Sequence, residues 1–403
     1  MDRSADKSTV GGRSLDDLRR TNLSRVLRLA HREGPLSRSE LTRATGLNRS
    51  TVGGLVAELQ ARGLVDESDP GPARRVGRPS PIVSASDDTV ALAINPEVDT
   101  VDIAVVGLSG RVLQRVRYDN ERLPTVTEFV NLVRAVSGML LEGYGNVLGA
   151  GLAIPGLVRH SDGHVLLAPH LEWTDTPLAA LVEDALGIPC VAGNDANCGA
   201  VAESTFGGGR GEGVVVYLNG GASGIGGGVV IDGRLFSGVD GHAGEFGHTN
   251  VTESGRRCHC GAVGCLETEV RRDRFIEVDR TPPSEVGRLA TRIDAAWGDP
   301  GSAVHAEITR QLGYLATAMR TVVNALNPRR IVLGGYLGDL LSVVGPAEII
   351  DRMRPTLPGA VDVVSVVPAG LHDDVILVGA AEMVFAPVLD DPGSVPYRVD
   401  AHA

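Results

Sequence analysis

CHCGAVGCLE, residues 258–267, is the most informative segment of this sequence, and GHAGEFGH lies shortly before it at residues 241–248. The first segment holds three of the chain's five cysteines within eight residues. The 403 residues contain neither a signal-peptide pattern nor a membrane-spanning apolar run, which predicts a cytoplasmic protein without a membrane partner. Thiols stay reduced in that compartment, so clustered cysteines favour metal or redox chemistry over a disulfide framework.

Charge is distributed unevenly along the chain. The net charge is −12. Residues 1–84 hold 15 basic and 10 acidic side chains, whereas residues 85–403 hold 23 and 40. This asymmetry predicts a basic nucleic-acid-binding domain at 1–84 joined to an acidic domain at 85–390, with a polar tail at 391–403.

The basic region has the pattern of a winged helix-turn-helix. Apolar spacing predicts three short helices, the second starting at the capping box SRSE (37–40) and the third at Asn48. LVDES (64–68) and PIVSA (81–85) predict the two strands of a wing. An ordinary three-helix bundle is the alternative, but helix order, wing and charge together favour double-stranded operator DNA as a partner.

Two groups of side chains are the predicted DNA contacts. The start of the third helix would face the major groove, and the wing arginines would reach the minor groove, the alternative for these arginines being a solvated loop. The first group is Asn48, Arg49, Ser50 and Thr51, and the second is Arg74, Arg75 and Arg78.

The acidic region alternates short apolar β runs with helical segments. This alternation predicts an α/β architecture with two lobes, and ligands bind such proteins in the cleft between the lobes. The predicted strands are VALAI (90–94), VDIAVVGL (101–108), VLGAGLAI (147–154), PCVAG (189–193), VVVYL (214–218), GIGGGVVI (224–231), RIVLGG (330–335) and VILVG (375–379).

Four motifs occur in the order and approximate spacing of the ROK family, named for repressors, open reading frames and kinases. They are NDAN (194–197), GASGIGGG (221–228), GHAGEFGH and CHCGAVGCLE. With the N-terminal helix-turn-helix, the resemblance covers nearly the whole chain and is to the regulator branch, which is similar to sugar kinases fused to a winged DNA-binding domain. It implies a two-lobed actin-like fold of the sugar kinase and ribonuclease H type, a homodimer or homotetramer, and a sugar effector.

The resemblance also assigns one structural zinc ion per chain to His248, Cys258, Cys260 and Cys265. Three thiolates and one imidazole suit a closed tetrahedral site. Catalytic redox cysteines are the alternative, but the usual CxxC spacing is absent. Zinc bound to one ring nitrogen would orient His248 and leave the other nitrogen for a sugar hydroxyl.

Sugar binding is carried over by the same resemblance to five polar residues, and Asp195 matches the catalytic base of the family's kinases. An Asx turn and solvated carboxylates are the alternatives for single residues, but their convergence by motif favours a sugar pocket. The five residues are Asn194, Asp195, Glu245, His248 and Glu267.

One segment departs from the kinase pattern. Family kinases have DxGGT where this chain reads INPEVDT (94–100), so Asn95 replaces the aspartate and Glu97 and Val98 replace the two glycines. Carboxylates beside a triphosphate repel it, and phosphoryl transfer depends on positioning and charge neutralisation. The segment therefore predicts a protein that is not an enzyme, with Asp195 as a vestigial base position.

Together these features predict a sugar-responsive DNA-binding transcriptional regulator, a repressor, whose effector is a small sugar or sugar phosphate. One alternative is a ROK sugar kinase, similar to glucokinase, with a DNA-binding extension. Another is a constitutive DNA-binding protein with a vestigial sugar pocket.

Overall fold

The computed structural model describes residues 15–69, 80–221, 223–239 and 241–398. The chain divides into two units. Residues up to 89 together with those from 385 form the first, here called the N-terminal unit, and residues 90–384 form the second, called the large unit. Both units bury a set of apolar side chains almost completely.

Within residues 15–89, the described part of the N-terminal unit before the large unit, there are three helices and a small antiparallel sheet in the strand order β1-β3-β2. The apolar stripe of its third helix, predicted from the sequence, is buried. Its elements are α1 Leu15–Glu33, β1 Leu36–Ser37, α2 Arg38–Thr45, α3 Arg49–Ala61, β2 Val65–Ser68 and β3 Ile82–Ala85. The helix-turn-helix and the two strands of the wing are thereby confirmed.

Local signals start and stop the two helices of the helix-turn-helix. The Ser37 hydroxyl accepts from the N–H of Glu40, whose carboxylate accepts from the N–H of Ser37 at 2.8 Å. Asn48 Oδ1 accepts from the N–H of Thr51 at 2.8 Å and so caps α3. Gly46 ends α2 with a φ of 70°, a left-handed conformation that favours glycine.

The C-terminal residues of the chain belong to the N-terminal unit and contact the end of α3. The N–H of Arg398 donates to the carbonyl oxygen of Ala61 at 2.9 Å. The guanidinium of Arg62 donates to the carbonyl oxygens of Gly393, at 3.0 Å, and Val395. The described part of the predicted polar tail, up to residue 398, is therefore packed against helices.

The first lobe of the large unit is built on a five-stranded sheet in the order β11-β7-β4-β5-β6 and a small antiparallel sheet in the order β10-β9-β8. Its buried core consists of Val, Leu, Ile and Ala side chains with Phe129 and Trp173. Its elements are β4 Thr89–Pro96, β5 Thr100–Gly107, β6 Val112–Asp119, α4 Val126–Leu140, β7 Asn146–Ile154, β8 Leu157–Arg159, β9 His164–Ala168, β10 Trp173–Thr176, α5 Leu178–Leu186 and β11 Cys190–Asn194.

The second lobe has its own five-stranded sheet, in the order β14-β13-β12-β15-β16, with helices packed around it. Its elements are α6 Asp195–Thr205, β12 Val214–Gly221, β13 Gly224–Ile231, β14 Arg234–Leu235, α7 Leu266–Glu269, α8 Arg272–Asp279, α9 Leu289–Trp297, α10 Ala303–Leu326, β15 Arg330–Gly334, α11 Gly335–Val344, α12 Pro346–Arg352, β16 Ser365–Pro368 and the part of α13 Val375–Asp390 that precedes residue 385. The predicted two-lobed α/β fold is confirmed.

Seven of the eight predicted β runs are strands, and the eighth is wrong. VILVG at 375–379 is the first part of helix α13. A short, continuously apolar run cannot be assigned by periodicity, because a buried strand and a buried helix share that pattern. Among the described residues, every helix falls short of the length or the apolarity needed to cross a membrane.

Candidate functional site

A cavity of about 390 Å³ lies between the two lobes of the large unit. Its first-lobe wall includes Glu97, Gly156 and Asn194, which follow or end strands β4, β7 and β11. Its second-lobe wall includes Ser223 and Gly224, where the chain turns from β12 to β13. All five residues predicted to bind sugar line this cavity: Asn194, Asp195, Glu245, His248 and Glu267.

The NDAN motif is placed where strand β11 passes into helix α6. Asn194 Oδ1 accepts from the N–H of Asn197 at 2.9 Å and caps the helix. Its Nδ2 donates to the carbonyl oxygen of Gly156 at 3.1 Å, which ties the helix start to the end of β7. Asp195 Oδ1 accepts from the N–H of Ala196 at 2.8 Å. The motif therefore has the structural role of an N-cap and also faces the cavity.

Carboxyl groups crowd this part of the cavity. The pKa of Asp195 is raised to about 8, mainly by burial and in part by the carboxylates of Glu97 and Glu245, against the hydrogen bond from Ala196. Burial likewise raises the pKa of Glu97 and of Glu245. A carboxyl group with a raised pKa is more easily protonated, and the protonated form can donate a hydrogen bond as well as accept one.

The GHAGEFGH motif brings Glu245 and His248 to the opposite wall. A turn of 3₁₀ helix spans Phe246–His248, and His248 Nε2 lies 4.0 Å from Glu245 Oε2. Glycine is required at 247, because a Cβ there would lie 2.0 Å from the carbonyl oxygen of Ile225. The other ring nitrogen of His248, Nδ1, lies 3.6 Å from Glu267 Oε1.

The three cysteines of CHCGAVGCLE converge on His248. Cys258 Sγ lies 3.5 Å from His248 Nδ1, Cys260 Sγ lies 3.7 Å from Cys265 Sγ, and all four ligand atoms lie within 4.8 Å of one another. A tetrahedral zinc site with bonds of about 2.0–2.3 Å has ligand–ligand edges of roughly 3.4–3.8 Å. The donor set and its spacing fit zinc. Gly264 lets the chain wrap here, with a φ of 76° and Thr252 O only 1.8 Å from where a Cβ would be.

Three histidines that line the cavity, His170, His242 and His259, were missed by the sequence analysis. His259 Nδ1 lies 3.2 Å from Glu267 Oε1, and His259 belongs with His248, Cys258 and Glu267 to a second group of mutually close ligand atoms. His170 packs edge-on to His259, with ring centroids 6.0 Å apart. His259 could have been suspected because it stands between two metal-ligand candidates. Nothing near His170 in the sequence indicates its position.

The segment that departs from the kinase pattern also reaches the cavity. Asn95 is buried, and its Nδ2 donates to the carbonyl oxygen of Ala153 at 2.9 Å. The carboxylate of Glu97 accepts from the Ser223 hydroxyl at 3.0 Å, which joins the two lobes. The sequence analysis placed Glu97 at a glycine position of the phosphate loop but not among the sugar-binding residues, and the structure places it in the cavity wall. The glycine-rich run opposite it includes Ala222, which lies outside the described residues.

The predicted DNA contacts are only partly described. Asn48, Arg49 and Ser50 are exposed at the start of α3, and Thr51 is half-buried. The Ser50 hydroxyl donates to Asn48 Oδ1 at 2.7 Å, so both side chains are engaged in capping. The wing loop at 70–79 lies outside the described residues, and with it Arg74, Arg75 and Arg78.

Fold and site together define a class of protein in which a winged helix-turn-helix precedes a two-lobed domain of the sugar-kinase type. The model of the ROK family matches residues 91–386, and that of the MarR family matches residues 19–75. The chain belongs to the ROK family, and its N-terminal part is a MarR-type winged-helix domain.

Characterised relatives match nearly the full length of the chain. The xylose repressor of Caldicellulosiruptor bescii is 27% identical over 394 residues, which cover 89% of this chain and 93% of the relative. The transcriptional dual regulator NagC of Escherichia coli K12 is 28% identical over 379 residues, which cover 87% of this chain and 91% of the relative.

Solved structures have the same fold. A ROK family transcriptional regulator, described as a homologue of E. coli MLC, superposes with a TM-score of 0.73 at 26% identity and covers 93% of this chain and 97% of its own. The ROK glucokinase of Streptomyces griseus, solved with glucose and AMPPNP, has a TM-score of 0.60 at 25% identity and covers 73% of this chain and 98% of its own.

Proposed function

We propose that this protein is a sugar-responsive transcriptional repressor. The observation that carries the proposal is that one chain combines a winged helix-turn-helix with a cavity lined by carboxyl, amide and imidazole groups. The relatives named xylose repressor and N-acetylglucosamine repressor support it, because they match 87–89% of this chain. A helix-turn-helix reads DNA, and a polar cavity of this size suits a monosaccharide.

Five side chains would hold the sugar hydroxyls: Asn194, Asp195, Glu245, His248 and Glu267. A hydroxyl both donates and accepts hydrogen bonds, and this set offers both functions. Leu157 and Leu167 also line the cavity and offer apolar surface to the C–H faces of a sugar ring. Asp195 would bind a hydroxyl without acting as a catalytic base.

We further propose that His248, Cys258, Cys260 and Cys265 hold one structural zinc ion. The ion would fix the loop between Glu245 and Glu267 by joining ligands from both of its ends. It would engage the Nδ1 side of His248, which faces Cys258, and leave Nε2 on the Glu245 side for a sugar hydroxyl.

For DNA recognition, Arg49 is the strongest candidate to read a base edge. It is exposed at the start of α3, whereas Asn48 and Ser50 hydrogen-bond to each other. Arg74, Arg75 and Arg78 of the wing would contact the backbone or minor groove of the operator. In a homodimer or homotetramer, sugar binding would favour one arrangement of the lobes and so change the spacing of the recognition helices.

A ROK sugar kinase with a DNA-binding extension is the second candidate. Likeness to a glucokinase fold and the position of Asp195 in the cavity favour it. Two contacts oppose it. The amide of Asn95 is engaged with a buried carbonyl, and the Glu97 carboxylate faces the glycine-rich turn where a kinase would need a phosphate. We therefore propose that the protein is not an enzyme.

The test uses the full-length protein with its zinc. A DNA site is first selected by the protein from a random pool, and a panel of pentoses, hexoses, N-acetylhexosamines and their phosphate monoesters is screened by thermal shift. A sugar that stabilises the protein and weakens DNA binding supports the repressor. If the protein binds DNA sequence-specifically and no sugar changes this binding, it is a constitutive DNA-binding protein. If it releases ADP and this release depends on Asp195, it is a kinase.

A further inference from the structure

The charges that line the cavity have one sign. Four carboxyl groups face it, those of Glu97, Asp195, Glu245 and Glu267, and among the described residues of its lining there is neither a lysine nor an arginine. Its remaining titratable side chains are His170, His242, His248, His259 and Cys260. Burial disfavours the charged form of His170 and lowers its pKa. The cavity therefore offers little positive charge to an anion.

Glu97 is held in a defined position at one end of the cavity. Its N–H donates to the carbonyl oxygen of Thr100 at 2.7 Å, which closes the turn between β4 and β5. Its Oε2 accepts from the Ser223 hydroxyl across the cleft at 3.0 Å. No hydrogen bond from the described residues reaches Oε1, so this oxygen is available to a ligand.

Glu97 and Asp195 line the same cavity, and the carboxylate of Glu97 disfavours ionisation of Asp195. A pair of this kind suits a hydroxyl, which can donate to the ionised carboxylate and accept from the protonated one. A phosphate dianion can only accept hydrogen bonds, and it would bring negative charge next to four carboxyl groups that no lysine or arginine of the described lining offsets.

Resting on the proposed function, we infer that the effector is an uncharged, unphosphorylated sugar and that Glu97 is the residue that excludes phosphate monoesters. Glu97 has a double effect in this assignment. Its free oxygen accepts from a sugar hydroxyl, and its charge opposes a phosphate at the same position.

A second cavity, lined by arginines, lies beside the first and makes the exclusion of phosphate monoesters testable. This smaller cavity, of about 210 Å³, shares Ser223 and Glu267 with the first and is lined by Arg257, Arg271 and Arg272. Arg271 donates to the Asp273 carboxylate, which lines the same cavity and offsets part of its charge. Arg272 attracts Glu97 electrostatically, and its Nε is buried without a hydrogen bond. A phosphorylated effector would need to direct its phosphate to Arg272.

The experiment compares the tightest-binding free sugar of the panel with its own phosphate monoester, by calorimetry on the zinc-loaded full-length protein. We expect the monoester to bind at least about a hundredfold more weakly, which corresponds to about 2.7 kcal/mol. Glu97→Gln keeps the size of the side chain. In this variant the ratio of the dissociation constants of monoester and free sugar should fall by at least about tenfold, mainly because the monoester binds more tightly. Glu121→Gln, at an exposed position outside the cavity, is the matched control and should keep the wild-type ratio.

Melting temperature and zinc content show whether each variant is folded. If Glu97→Gln does not fold, Ser223→Ala provides a second test. Ser223→Ala removes the contact across the cleft but keeps the charge, so it should still reject the monoester. A monoester that binds as tightly as the free sugar, or a ratio unchanged in Glu97→Gln, would overturn the inference. So would monoester binding that is lost in Arg272→Gln. Failure of every sugar and every monoester to bind would instead overturn the proposed function.

Discussion

Replacing Arg62 with alanine should destabilise the N-terminal unit while leaving the large unit folded. The Arg62 side chain is only 10% exposed, and its Nη2 lies 3.0 Å from Glu58 Oε1. It also donates to the carbonyl oxygens of Gly393 and Val395 and stacks 4.1 Å from the centroid of the Tyr397 ring. A single side chain thus connects the end of α3 to the C-terminal segment.

The expected magnitude follows from these contacts. Removing one partner of a buried ion pair costs about 3–5 kcal/mol. Burial alone would raise the pKa of Glu58, but hydrogen bonds from Arg19 and Arg62 more than offset this and lower it. Because Arg19 would still pair with Glu58 in Arg62→Ala, we expect a loss of stability at the lower end of this range, about 3 kcal/mol. For a domain of this size, that is a decrease of at least about 12 °C in melting temperature.

Hydrogen exchange separates the two units. Both tryptophans of the chain, Trp173 and Trp297, lie in the large unit, so tryptophan fluorescence reports only on that unit. Amide exchange measured by mass spectrometry over residues 15–69 gives the free energy of opening of the N-terminal unit. Arg62→Ala should raise exchange there and weaken DNA binding, while the fluorescence transition and sugar binding stay unchanged.

Two further variants serve as controls. Arg62→Lys keeps the charge but loses the planar fork, so it should be intermediate. Arg20→Ala removes an exposed arginine that pairs with Asp17 at 3.2 Å, and it should change neither exchange nor DNA binding measurably. If the free energy of opening of the N-terminal unit in Arg62→Ala is within about 1 kcal/mol of the wild-type value, the C-terminal contacts do not stabilise this unit.

Four other outcomes are expected. Elemental analysis of protein purified without chelator should find one zinc per chain, and Cys260→Ser should lower both zinc content and melting temperature; a metal-free, equally stable wild type would exclude the site. Glu245→Gln should keep zinc and DNA affinity but bind sugar about tenfold to a hundredfold more weakly, since a ligand hydroxyl loses its acceptor, and an unchanged sugar response would place the effector elsewhere. Arg49→Ala should reduce the preference for the selected DNA site over random DNA; equal loss on both would restrict Arg49 to phosphate contact. Because the pKa of Asp195 is raised to about 8 in the fold, the wild type should lose stability as pH rises from about 4 to 8, and Asp195→Asn should flatten this dependence; parallel curves would contradict the burial of an ionisable group there.

The N-terminal unit and the metal-ligand cluster were accessible to sequence analysis for different reasons. The capping box at Ser37 and the N-cap at Asn48 depend on hydrogen bonds to residues three positions away, so the local sequence contains both partners. The ligand cluster was assigned through a family motif, and its four residues do lie together. The error at 375–379 arose where a continuously apolar run has no periodicity to separate strand from helix.

The composition of the cavity wall depended on the tertiary structure. Glu97 and Ser223 are 126 residues apart and meet only because the two lobes face each other. His170 reaches His259 in the same way, and the C-terminal segment reaches α3 from more than 300 residues away. Short-range patterns specify helices and turns because a few neighbouring side chains and backbone groups contain the interaction. Which distant carboxyl groups share one buried space, and so raise each other's pKa, is decided only when packing brings them together.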